Sequence, residues 1–357
     1  MSRYVPFLKL KVNEIGALSE LSADLRKTVT PFFDLPRKKD GMTAEEFCQL
    51  VEKSARSVEK NLKDFKSFFL DNFDIEDGIK VNGNDNYYYI IDRFAKTPFI
   101  PVIGLDRPKA RNQVVFDAKK TGLITSSRIA LRLQPEDVEE FSFVRDEILD
   151  LLKMGDGLFS HWTLIIDNRV CLDIDLGKRG LQLQAFIPHC FSTVNFDELV
   201  ITGSSIPASI GEVIQTNNEG THERQELSLC RPIFNKFKDE RIVIGDYTIV
   251  SPLYSDIDIP PEALRNVTAP KIVYSYDDVY YILRGGQLSS HPRGNSQYND
   301  LAERLIAMKF YRHPPYSFGD HYLNEKAKSL GKGVTPSSIL KPTINAHITY
   351  MCRDFSF

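Results

Sequence analysis

No stretch of this chain approaches the roughly 18 uninterrupted apolar residues that a membrane-spanning helix needs. Cysteine is sparse as well. Cys48, Cys171, Cys190, Cys230 and Cys352 are odd in number, widely spaced and never in a CxxC pair. That pattern excludes a disulfide framework, and reduced thiols in a cytoplasm fit it best. An excess of one charge is missing too. With 45 basic and 48 acidic side chains the formal net charge is −3, so the broad positive footprint of a dedicated nucleic-acid binder is absent. The first six residues enter a strand-like run at once and carry no signal-peptide core.

Catalytic signatures are equally scarce. There is no GxxxxGK[ST] phosphate loop, no GxGxxG after a strand and no HExxH. The histidines show no i, i+4 pair and no Cys/His cluster, which argues against a compact zinc site. The acidic run from Asp71 to Asp77 puts Phe73 and Ile75 where a calcium loop needs oxygen ligands. Gly203-Ser204-Ser205-Ile206-Pro207 resembles a nucleophile elbow in composition only.

What is there is repetition. Eight short apolar runs, most followed by an amphipathic helical stretch, fill the first 250 residues: 4–11, 29–35, 66–71, 99–105, 128–133, 162–167, 198–202, and an eighth at 241–244 or 247–252. Gly245-Asp246 divides the last two, and the second is preferred. The crossover after the seventh run reads as two helical pieces, 207–216 and 222–238. Thr43 with Glu46 three residues on forms a capping box for a long helix. Strand–helix alternation of this kind predicts an α/β fold, a (β/α)8 TIM-like barrel over residues 1–260. Residues 261–357 read as an α+β appendage: a hairpin at 271–275 and 279–283, helices near 298–311 and 321–329, and a final strand-like run at 344–351.

A barrel of this kind gathers its chemistry at the strands' C-terminal ends. The polar residues there are Lys9, Lys11, Asp34, Asp71, Asp106, Arg107, Arg132, Gln134, Asp167, Asn168, Ser204 and Ser205. Carboxylates in such a ring can hold a divalent cation or transfer protons, and the cations can hold an anion. The same residue types also cap helices and make turns at βα junctions. Lys11 with Glu14, Arg132, Asp167 and His347 are the candidate catalytic groups. Asp71 and Asp106 are candidate ligands for a divalent metal such as magnesium. Ser204 and Ser205, at an expected helix N-terminus, and Arg293 in the appendage are candidate anion-binding groups.

Five stretches carry a resemblance: YVPFLKLKVNE at 4–14, GDYTIVSP at 245–252, QYNDLAERLI at 297–306, SFGDHYL at 317–323 and INAHITYM at 344–351. In order and spacing they resemble the beta protein family, known from phage and bacterial genomes. The resemblance implies no established activity. It implies a phage-related setting and makes Lys11, Glu14, Asp246, Tyr247, Gly319, Asp320 and His347 the positions to watch. If the eighth strand starts at Tyr247, Asp246 lies at the bottom of the barrel, away from the mouth.

Two functions fit these observations. The first is a cytoplasmic interaction or ligand-sensing protein in phage–host conflict, with a protein or nucleotide-like partner, no membrane contact and no nucleic acid. The second is a metal-dependent hydrolase of phosphoesters or nucleotides that uses the strand-end carboxylates.

Overall fold

The computed structural model describes residues 4–38, 41–254 and 268–356. In chain order its strands are β1 (Tyr4–Lys9), β2 (Phe32–Asp34), β3 (Phe68–Asp71), β4 (Lys80–Val81), β5 (Asn84–Asp85), β6 (Phe99–Gly104) and β7 (Arg128–Leu133). They continue with β8 (His161–Val170), β9 (Glu198–Ser204), β10 (Asn218–Glu223), β11 (Ile242–Asp246), β12 (Lys271–Tyr276) and β13 (Val279–Arg284). Eight of them close into a barrel in the order β1-β11-β9-β8-β7-β6-β3-β2, and every pair is parallel. The expected (β/α)8 architecture is therefore present.

The barrel strands are apolar on both faces because helices cover the outside while side chains fill the inside. The interior holds Val5, Phe7, Phe32, Phe69, Ile100, Val102, Ala130, Ile165, Val200, Val243 and Tyr247. Phe7 stacks on Phe32 with ring centroids 4.3 Å apart. The long helix Ala44–Asn61 begins at the Thr43 capping box, with both reciprocal bonds made.

Three expectations fail in instructive ways. The eighth strand is Ile242–Asp246, not the run beginning at Tyr247. Gly245 lies inside it, because a Cβ there would stand 2.8 Å from both the Val5 carbonyl oxygen and the Phe7 ring. The glycine that looked like a divider is what lets β11 approach β1. Asp246 thereby moves from the bottom of the barrel to the top of its strand.

The final apolar run is no strand but the helix Leu340–Arg353. Every residue from Pro342 to Met351 in it is buried, so no polar face remains to reveal a 3.6-residue period. Pro342 sits in its first turn, where its missing N–H costs no helical bond.

The double crossover after β9 also differs. Its first piece is a single 3-10 turn, Ile210–Glu212. Residues 218–223 form β10, which joins the antiparallel sheet β10-β13-β12. The hairpin of β12 and β13 matches expectation. The closing helix lies between this sheet and the first barrel helix, Val12–Ser19, where Asn345 Nδ2 donates to the Ala17 carbonyl at 3.0 Å.

Candidate functional site

At the C-terminal end of the barrel, alternate residues continue the inward-facing rows: Lys9 from β1, Asp34 from β2, Asp71 from β3, Arg132 from β7 and Asp167 from β8. All are buried, and Arg132, Asp71 and Asp167 are fully so. Arg132 is the hub. Its Nη1 donates to Asp34 Oδ1 at 2.8 Å and to Asp71 Oδ2 at 2.9 Å. Its Nη2 donates to Asp167 Oδ2 at 2.6 Å and to the Tyr247 hydroxyl at 2.9 Å. Tyr247 in turn donates to Asp167 Oδ2 at 2.6 Å.

The remaining charges complete the balance. Arg107 grips both oxygens of Asp71, at 2.7 and 3.3 Å. Lys9 bonds Asp74 and stands 3.4 Å from Asp34. Arg169 stands 3.7 Å from Asp167 and donates to the Tyr247 hydroxyl at 3.2 Å. Asp34, Asp71, Asp74 and Asp167 are thus matched by Lys9, Arg107, Arg132 and Arg169. Burial alone would raise the Asp34 carboxyl, but Arg132 and Lys9 outweigh it and hold the group at about 2. Burial, reinforced by Asp34, pushes Asp74 the other way. Isolated buried charges of either sign would not be tolerated, so each cation is needed by its acids.

Aromatic rings close the site. Arg132 lies between Phe32 and Phe73, whose centroids are 5.0 and 4.6 Å from its Cζ. Phe73 also carries Arg169 on its ring at 4.7 Å. Phe73 belongs to the segment after β3, which is pinned by Asn72 Nδ2 donating to Asn86 Oδ1 at 2.6 Å and by Asn86 Nδ2 donating to the Glu76 carbonyl at 3.1 Å. Over the β1 side lies Tyr254, with Lys9, Lys11 and Arg37 around its ring at 5.0, 5.7 and 4.9 Å.

Beside this closed hub runs a polar groove of about 520 Å³, lined by Arg37, Phe73, Asp106, Arg107, Arg111 and Gln134 among others. Gln134 is 3% exposed, and its Nε2 has no hydrogen-bond partner. A buried donor left unpaired is costly, and this one belongs to a residue in the groove wall. Close by, burial raises the Asp137 carboxyl to about 6.

A second buried polar cluster lies outside the barrel, under the sheet. Asp246 points away from the barrel interior and accepts from Arg224 Nη2 at 2.6 Å, from the Tyr4 hydroxyl at 2.5 Å and from the Thr248 amide at 2.8 Å. His347 Nε2 stands 3.0 Å from Asp246, and its Nδ1 stands 2.6 Å from Ser275 Oγ. Hydroxyl, imidazole and carboxylate follow one another as in a nucleophilic triad. Yet Ser275, His347 and Asp246 are at most 1% exposed, so no substrate reaches the hydroxyl. The cluster ties β11, β12 and the closing helix together.

The other candidate residues are dispersed. Lys11 is exposed at the rim, while Glu14 is buried with Oε2 unpartnered and its carboxyl raised by burial. Asp106 faces the groove and stands 3.3 Å from Arg107 Nε. Ser204 Oγ accepts from the Ile206 amide at 3.1 Å, and Ser205 Oγ accepts from the Gln225 amide at 2.7 Å while bonding Glu226. No helix starts directly behind these serines, contrary to expectation. Arg293 is exposed on the far loop and pairs with Asp300 at 2.8 Å. Asp320 lies in the appendage, bonded by the Tyr274 hydroxyl at 2.5 Å.

Among the described residues no group of three or more His, Cys, Asp or Glu side chains is placed to hold a metal ion. Asp71 spends both oxygens on guanidinium groups, so it does not fit a resident divalent ion in this arrangement. Tyr254 and the Arg224–Glu226 pair went unread in the sequence, and neither Arg169, two residues after Asp167, nor Asp74, inside the acidic run, was read as a site residue. Only Arg224 and Glu226, flanking a helix start, carried any local signal.

A family model described as Beta protein matches residues 4–353 of the chain. No curated protein matches it. No helix among the described residues is long and apolar enough to cross a membrane.

Proposed function

The chain belongs to the beta protein family, and from that premise we propose a ligand-sensing interaction protein, acting in a phage-related setting, whose groove at the barrel mouth takes a nucleotide-like ligand. One observation carries the reading: Gln134, whose Nε2 has no partner, lines a groove whose wall brings Arg37, Arg107 and Arg111 together with acids, Arg107 being paired with Asp71 and Arg111 with Asp77. An amide donor beside guanidinium groups suits a ligand with a phosphate and a hydrogen-bonding ring. The groove's volume of about 520 Å³ falls within the usual range for small-molecule sites.

The hydrolase reading finds less support. Each strand-end carboxylate that could act as base, nucleophile or metal ligand is already paired with a cation. Catalysis there would require Arg132 to leave a position held by three acids.

Thermal melts against nucleotides, sugar phosphates, Mg2+ and Mn2+ separate the two. The binding reading expects stabilisation by a nucleotide without metal, reduced in Gln134→Leu. A shift that needs metal and disappears in Asp167→Asn would instead favour the hydrolase.

A further inference from the structure

On the opposite side of the barrel rim, β12 and β13 place two cations directly across from each other. Lys271 and Arg284 are register partners in the antiparallel ladder. Like charges in that position repel and weaken a sheet. Their row continues as Val273 opposite Ile282 and Ser275 opposite Tyr280, and Val273, Ile282 and Tyr280 belong to the apolar core shared with the barrel. The two cations therefore stand on the face of the sheet turned toward the barrel, where apolar residues are the default.

No carboxylate pairs with either one among the described residues. Arg284 Nη1 donates to the Ile214 carbonyl at 2.6 Å, while its Nε is buried and has no partner. Burial, helped by the neighbouring Arg284 charge, draws the Lys271 ammonium down to about 8. Both side chains line a cavity of about 510 Å³ whose walls include Ile210, Ile249, Tyr298 and Ile339. It lies between the loops that follow β9 and β11, the sheet and the start of the closing helix.

We propose that this cavity is a binding site for an amphiphilic organic anion, with Lys271 and Arg284 holding the carboxylate or phosphate head and the apolar walls holding the body. Two cations without an acidic partner among the described residues cost the free protein their mutual repulsion and a buried unsatisfied donor. An anion relieves both at once, and the walls supply the hydrophobic contact that small-molecule sites share. The site is separate from the groove at Gln134 and does not depend on the reading given to it.

The test is calorimetric titration of the full chain with sodium decanoate, an apolar body with a carboxylate head, and with decyltrimethylammonium, which has the same tail and the opposite charge. Decanoate should bind saturably, and Lys271→Met and Arg284→Met should each weaken it by about tenfold or more. Lys271→Met relieves a repelled cation, so it should melt no lower than the parent protein, which keeps lost binding distinct from lost folding. Saturation by the cationic amphiphile with equal affinity, unchanged binding in both variants, or no saturation by decanoate would each overturn the proposal.

Discussion

Arg132 concentrates the physics of the barrel mouth in one side chain. It is fully buried and touches Asp34, Asp71 and Asp167. Replacing it with methionine leaves those acids uncompensated in a site that water does not reach. Arg132→Met should therefore lose about 3–5 kcal/mol of stability in urea unfolding, as expected when one partner of a buried ion pair is removed. A loss below about 1 kcal/mol, the range of surface pairs, would contradict the hub. The sequence made Arg132 and Asp167 visible because they end apolar runs. It could not show that they bond each other, since side chains 35 positions apart meet only once the barrel closes. Phe73 and Tyr254 were invisible for the same reason: nothing local marks a ring that will cover a distant guanidinium.

His347 provides the pH test at this scale. Burial lowers its pKa despite Asp246 beside it, so the unfolded chain takes up the proton first as pH falls. The sign follows: stability is lost on acidification through the ordinary histidine range near 6.5. Between pH 7.5 and 5.5, a span of about a unit either side of that value, the parent protein should lose stability faster than His347→Gln. Parallel pH profiles in chemical denaturation would show that His347 is not held neutral.

Among the secondary elements, the closing helix shows most plainly what pattern reading loses. Its residues from Pro342 to Met351 are all buried, and a segment enclosed on every side has no periodicity to display. The β11 error has the same root in reverse. Gly245 was taken as a boundary, whereas the close approach of β1 requires glycine within the strand. Another glycine gives this scale its prediction. A Cβ on Gly319 would stand 2.0 Å from the Pro342 carbonyl oxygen and 2.8 Å from the Ala346 Cβ. The helices Phe318–Ala327 and Leu340–Arg353 can approach only because that atom is missing. Gly319→Ala should lower stability by about 1–3 kcal/mol, the usual cost of overpacking, visible as a drop in Tm. Gly333→Ala, with open space around it, is the matched control and should leave Tm unchanged.

For the molecule as a whole, the eightfold alternation was legible because barrel strands and helices each bury a continuous apolar face, which is a property of local sequence. How the appendage joins was not legible, because β10 leaves the crossover between β9 and β11 to pair with β13, and pairing across sixty residues writes no local pattern. The Asp246–Arg224–His347 cluster then fastens the sheet and the closing helix to the barrel's outer face. What results is a mouth whose charges are mutually neutralised, flanked by a groove with an unsatisfied donor. The most direct measurement is calorimetric titration of ATP and AMP into the full chain in EDTA, with product analysis on the same samples after Mn2+ is added. The account predicts saturable binding without metal, weakened by Gln134→Leu by about fivefold or more, the scale of one lost hydrogen bond, and intact nucleotide at the end. Phosphate release that requires Mn2+ and vanishes in Asp167→Asn would contradict it.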